Sequence, residues 1–200
     1  MPKRIILLTG EVEAPHLREL LVRHADGLNV EPVFDANGLH AAFAAGGIEE
    51  TRLVAFLTSV IVPAGYLQAL PGPAYNFHPG PPEYPGSYVA GFAIYEGAQE
   101  FGVTLHEMAV EVDTGPIVEV RRFPVEPGWK FQDLEAEAFR QVLQLFVDYS
   151  KHLATDDTPL PSGVEPWTGR PRTKAQAARL KGIEADMTEE EIVRRYRAFG

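Results

Sequence analysis

Ile5-Ile6-Leu7-Leu8-Thr9-Gly10 is an unbroken apolar run stopped by a hydroxyl and a glycine, and Pro15 to Gly27 follows it with Leu17, Leu20, Leu21 and His24 at helical spacing. A short apolar run without polar alternation reads as a strand buried on both faces, as in parallel sheets. Pro15 falls where a first helical turn needs no amide donor, and Gly27 stands past the end of the apolar stripe. The stretch is a β-then-α unit, and it repeats. Val30, Val33 and Phe34 predict a second strand, Leu39 to Ala45 before Gly46-Gly47 a short helix, and Leu53 to Leu57 a third buried strand. Strands alternating with helices predict an α/β protein with a Rossmann-like, mostly parallel sheet flanked by helices.

Working outward, Pro63 to Leu70 reads as a short helix ended by Pro71-Gly72-Pro73, and Ala74 to His78 as the next strand. Pro79-Gly80-Pro81-Pro82-Glu83-Tyr84-Pro85-Gly86 then places four prolines and two glycines in eight residues, which denies donors to any ladder and predicts a stiff surface loop. Ser87 is the expected N-cap of a helix ending before Gly97. Gly102 to Met108 and Ile117 to Phe123 predict an antiparallel pair. Leu134, Ala138, Val142, Leu145 and Tyr149 mark a long amphipathic helix. The expected division is a domain over residues 1–153, then a linker and helical C-terminal extension over 154–200. In that extension Thr155 to Gly169 reads as connector, Arg170 to Lys181 as a solvated basic face, and Thr188 with Glu191 as a capping box before Ile192, Tyr196 and Phe199.

Two hundred residues, 45% of them apolar and 23% charged, are enough for one compact core. A net charge of −10 repels phosphate backbones and argues against nucleic acid as a partner. The absence of cysteine excludes disulfides, thiolate nucleophiles and cysteine-held metals, and suits a reducing compartment. The short apolar start is no signal peptide, and no run of about 18 apolar residues would span a bilayer. A cytoplasmic protein without a membrane partner is the expectation.

The candidate chemistry sits at the carboxyl end of the fourth strand. Asn76 and His78 are two residues apart and share a face of that strand, at the edge where open α/β sheets bind ligands. An amide can donate to a developing oxyanion and an imidazole can move a proton near neutral pH. Asp113, in the loop between the two late strands, could return to the same edge and orient His78. Asn, His and Asp at loop edges also serve as caps and turn residues, so spacing alone leaves both readings open. No metal is expected, because no HExxH or comparable ligand spacing is present. His106 is read as a packed strand histidine, and Trp129 and Trp167 as packing residues.

Asn76-Phe77-His78-Pro79-Gly80, Gly102-Val103-Thr104-Leu105-His106 and Val112-Asp113-Thr114-Gly115-Pro116-Ile117 together resemble the folate-dependent formyltransferase family, from the first strand to about Val125. The resemblance implies 10-formyltetrahydrofolate as formyl donor and a primary amine on a small molecule as acceptor. It matches Asn76 and His78 to the residues that hold the formyl oxygen, and Asp113 to the aspartate that positions the histidine and a proton-carrying water. It matches Thr58, Ser59, Val60 and Ile61, with Ala109 and Val110, to the segments lining the folate pocket. Gly80 to Gly86 departs from the family's usual Ser-Leu-Leu-Pro stretch, so the acceptor side is expected to be remodelled. Glu11 and Glu13 after the first strand would repel a substrate phosphate, which argues against glycinamide ribonucleotide. The chain's length and charge argue against initiator tRNA. What remains is a small amine, an amino sugar nucleotide being the leading case, with Glu11, Glu13 or Glu83 expected to help hold it. A 10-formyltetrahydrofolate hydrolase and a non-catalytic folate-binding module stay as alternatives, and the assembly is left open between monomer and homodimer.

Overall fold

The structure is a computed structural model that describes residues 1–200. Its centre is β1 (Arg4–Leu8), whose alternating side chains enter two separate cores. Ile5 and Leu7 pack with Leu17 and Leu21 of α1 (Ala14–Val22), while Ile6 and Leu8 pack with Leu39 and Ala42 of α2 (Ala36–Ala44). A strand apolar at every position is thus explained by helices on both faces. β2 (Asn29–Val33), β3 (Thr51–Phe56) and β4 (Tyr75–His78) extend the parallel part, with α3 (Ala64–Ala69) between the last two. β5 (Glu100–Glu107) and β6 (Ile117–Pro124) add antiparallel, giving the order β2-β1-β3-β4-β5-β6.

The larger core comprises 27 buried residues beneath α1 and the long α5 (Phe131–Thr155), and the smaller one 9 on the opposite face. Tyr75 and Phe77 point into the larger core, so Asn76 and His78 point to the thinner side, where apolar filling gives out towards the carboxyl ends of the strands. α5 buries Leu134, Ala138, Val142 and Leu145 as its spacing predicts. No helix is long and apolar enough to cross a membrane.

Two local expectations are corrected. The proline-rich loop is not a surface loop: Gly80, Pro81, Pro82 and Pro85 are buried. Residues 163–173 form a strap across it. The Gly163 and Val164 amides donate to Ile117 O, those of Thr168 and Gly169 to Pro82 O, and that of Arg172 to Pro85 O. Proline carbonyls still accept, so a segment poor in donors is satisfied by another that supplies them. Ser87 does not cap α4 (Val89–Glu96). Its amide is bound by Arg172 O, and Tyr88 in left-handed conformation takes the N-cap position. Beyond the strap, Thr173 and Gln176 form a capping box that opens α6 (Lys174–Lys181), a helix inside the stretch read as a solvated basic face.

The final helix, α7 (Glu189–Phe199), is capped by Thr188 as expected and docks on α4. Phe199 meets Phe92 edge-on at 5.4 Å, and Tyr95 donates to Glu191 at 2.9 Å. Tyr196 does not share the buried face; it is 63% exposed, with the Lys130 ammonium over its ring. Phe199→Ala is therefore expected to lower unfolding free energy by about 3 kcal/mol in a denaturant titration, whereas Tyr196→Ala changes it by about 0.5 kcal/mol or less.

Candidate active site

The antiparallel register of β4 and β5 sets Asn76 opposite His106 and His78 opposite Thr104. Thr104 Oγ1 donates to Gly80 O at 2.7 Å, pinning the start of the proline-rich loop beneath His78. That loop turns back so that Tyr84 O lies 3.0 Å from His78 Nε2. A Cβ on Gly80 would stand 2.7 Å from that nitrogen, which explains glycine at this position. The β5–β6 loop then returns Asp113 to the pair, with Oδ2 at 3.5 Å from His78 Nδ1 and Oδ1 at 3.4 Å from His106 Nε2. Gly86 donates its amide to Asp113 Oδ2 at 2.7 Å. Gly86 has φ 98°, and a side chain there would run into the Arg172 backbone.

The structure brings Asn76, His78 and Asp113 together as the sequence reading expects. It adds His106, which that reading had set aside as core packing. Backbone carbonyls only accept, so His78 Nε2 carries a proton donated to Tyr84 O, and His106 Nδ1 one donated to Glu107 O at 2.8 Å. His106 Nε2 then accepts one amide hydrogen of Asn76 at 3.0 Å, leaving the other free, and His78 Nδ1 is the nitrogen that exchanges a proton against Asp113.

His78, His106 and Asp113 are all at least nine-tenths buried. Burial pushes the His78 imidazole below its ordinary value, against the pull of Asp113. Burial alone would raise Asp113, but His78, His106 and the Gly86 amide overcome it and hold the carboxyl at about 2. The side chains of the cluster border a cavity of about 1010 Å³. Thr58, Ser59, Val60, Ile61, Ala109 and Val110 line the same cavity. None of the peptide groups of residues 58–62 or of Ala109 and Val110 has a backbone hydrogen-bond partner, and only the Val60 amide is taken, by Thr58 Oγ1 at 3.1 Å, so an apolar wall is edged by otherwise free donors and acceptors. Leu57, Tyr88 and Asp113, the three non-glycine residues with positive φ, also line it. Each such conformation costs roughly 1–3 kcal/mol and persists where the surroundings over-determine it, which is common at sites.

Glu11, Glu13 and Glu83 do not reach the cavity, and Glu83 is paired with Arg122 at 3.0 Å. Arg172 and Lys174 border it instead, because the strap folds back over the loop. Trp167 is not a packing residue remote from the chemistry: its ring stands edge-on to both imidazoles. The sequence signal for His106 is its place in β5, two residues after Thr104; only the strand register reveals its partner. Trp167 carries no such signal. No group of three or more His, Asp or Glu side chains is arranged to hold a metal ion.

The family profile described as Formyl transferase matches residues 38–148. The chain is 26% identical over 191 residues to methionyl-tRNA formyltransferase of Streptococcus thermophilus, covering 90% of this chain and 57% of that one. It is 32% identical over 103 residues to phosphoribosylglycinamide formyltransferase of Haemophilus influenzae, covering 47% and 49%. The chain thus spans about half the length of these curated relatives. Among solved structures, an N-formyltransferase from Helicobacter canadensis in complex with folinic acid and dTDP-3-aminofucose superposes with a TM-score of 0.75 at 20% identity, covering all of this chain and 81% of that one. The αβ fold thus gathers a half-buried amide, a buried imidazole and a buried carboxylate at its strand ends. The chain belongs to the formyl transferase family.

A carboxyl depressed in the folded state stabilises it above the unfolded value, and that stability is lost as pH falls towards the folded value. For Asp113 the window runs from about pH 4 down to about 2. His78, lowered by burial, acts in the same direction below about pH 6.5. Acid unfolding followed by circular dichroism is expected to show Asp113→Asn, which keeps a side chain tolerant of left-handed backbone, losing on the order of 2 kcal/mol of stability at neutral pH and becoming flatter with pH between about 4 and 2.

Proposed function

We propose that the chain transfers the formyl group of 10-formyltetrahydrofolate to a primary amine on a small acceptor in the cytoplasm. Residues 1–153 form the catalytic unit in this reading, and residues 154–200 the extension that clasps it. One observation carries the reading: a half-buried Asn76 joined to buried His106, Asp113 and His78 in a chain of the formyl transferase family, opening on a cavity of about 1010 Å³. That cavity fits a reduced pterin in kind, with Val60, Ile61 and Val110 as apolar wall and the peptide groups of residues 58–62, all free but the Val60 amide, to meet a heterocycle's polar edge.

Bound 10-formyltetrahydrofolate supplies the electrophilic formyl carbon and a nitrogen leaving group. Asn76 donates its free amide hydrogen to the formyl oxygen as negative charge develops there, its orientation fixed by His106. His78 takes up the amine's proton at Nδ1 through water, and the resulting imidazolium, held beside Asp113, adds to that stabilisation. Asp113 stays ionised beside that imidazolium, and the same proton then passes through water to the departing nitrogen. No covalent bond to the protein is needed. An amino sugar nucleotide as acceptor is supported by the bound dTDP-3-aminofucose of the Helicobacter canadensis enzyme, and by Lys174 at the cavity, which suits an anionic group on the acceptor.

Calorimetric titration with 5-formyltetrahydrofolate is expected to show binding that Asp113→Ala weakens, and absence of binding would overturn the folate reading. With an accepted amine, Asn76→Ala and His78→Ala are each expected to lower turnover by about a hundredfold or more in variants that still melt cooperatively. Formate release as fast without an acceptor as with one would identify a hydrolase instead.

A further inference from the structure

A second groove, of about 520 Å³, meets the cluster at Asp113. It runs between the β5–β6 loop and the strap, along Gly115, Glu165 and Trp167. His78 and His106 border the large cavity and not this groove, Trp167 borders the groove and not the cavity, and Asp113 alone of the four borders both. The indole is thus a partition. Its centroid lies 5.7 Å from that of His78 at 72° and 5.0 Å from that of His106 at 88°, so one ring covers both imidazoles edge-on.

The partition is fixed from several directions. The indole N–H donates to Gly115 O at 2.8 Å, in the same loop that carries Asp113. On either side of Trp167 the strap is held by backbone hydrogen bonds to Ile117, and to Pro82 and Pro85. The strap's flanking charges are satisfied elsewhere, Glu165 by Arg122 at 2.7 Å and Arg172 by Glu96. Around His78, the ionisable or polar neighbours are therefore Asp113 from the β5–β6 loop, His106 from β5 and Tyr84 O from the proline-rich loop. The strap presents an apolar ring to it. Trp167 lies outside residues 38–148, the part that the family profile matches.

We infer that Trp167 is a positioning residue that walls His78 and His106 off from groove water, holding both imidazoles in place and favouring transfer to an amine over hydrolysis. Its activity readout rests on the formyl-transfer reading; its spectroscopic readout rests on geometry alone. Water at the back of His78 would hydrate the imidazolium and raise the midpoint of its titration, and would also compete with the amine for the formyl carbon.

The test uses the full chain as wild type, Trp167→Ala, Trp167→Leu and Trp167→Phe, each checked for folding by thermal melting. Histidine ring NMR without ligand, assigned with His106→Gln, follows the His78 midpoint. It is expected to rise by about one unit in Trp167→Ala, by about half a unit in Trp167→Leu, and to stay within about 0.3 unit in Trp167→Phe, which keeps a ring edge. Formate release from 10-formyltetrahydrofolate without acceptor is expected to rise roughly tenfold in Trp167→Ala and to return towards wild type in Trp167→Phe. An unmoved midpoint in a folded Trp167→Ala or Trp167→Leu variant, or formate release no faster than wild type, overturns the inference. If wild type neither transfers nor hydrolyses the formyl group, the formyl-transfer reading fails, and the His78 midpoint alone decides the role of Trp167.

Discussion

The register between β4 and β5 is the constraint on which the site depends. With Asn76 opposite His106 and His78 opposite Thr104, four polar side chains share the face of the sheet where apolar packing is thinnest. A slip of one residue would turn Tyr75 and Phe77 to that face and bury the amide and imidazole in the larger core. The register is held from the core side, where Tyr75 and Phe77 pack with Phe56 and Phe146, and from the site side, where Thr104 binds Gly80 and His106 binds Asn76. Stability and chemistry here rest on the same strand pairing.

A second dependence runs through the strap. Four prolines leave the segment after β4 short of donors, and its carbonyls would lie buried and unsatisfied without a partner. Residues 163–173 supply the amides, and in doing so place Trp167 over the imidazoles and Arg172 beside the cavity. The C-terminal helices keep the strap in place: α7 docks on α4 through Phe199 and Phe92, and α6 buries Ala177 in the same small cluster. Residues outside the family's matched segment therefore shape one wall of the site.

The electrostatics of the site differ from those of the chain. A net charge of −10 surrounds the protein, yet the cavity is bordered by Arg172 and Lys174 with Glu135 and the single buried carboxylate of Asp113. Asp113 stays ionised in an apolar setting because the Gly86 amide and the two histidines face it. Burial outweighs that one carboxylate and lowers the His78 imidazole below its ordinary value. The pair is poised for a proton to arrive at Nδ1 when charge develops nearby, which is the condition for acid–base work near neutral pH.

The order of strands and helices, the pairing of Asn76 with His78 on one face, and the long stripe of α5 were legible in the amino-acid sequence, because each is a periodic or local property of neighbouring residues. The glycines and prolines marked where the chain turns, but not what would cover those turns. His106, Trp167, Arg172 and the left-handed Tyr88 were misread or passed over because their roles depend on strand register and on a strap some eighty residues downstream. Glu11, Glu13 and Glu83 were assigned to a site that the fold keeps them out of. Local sequence determined the elements and the residues with reactive side chains; tertiary packing decided which of them share a cavity, since burial and hydrogen-bond partners come from segments distant along the chain.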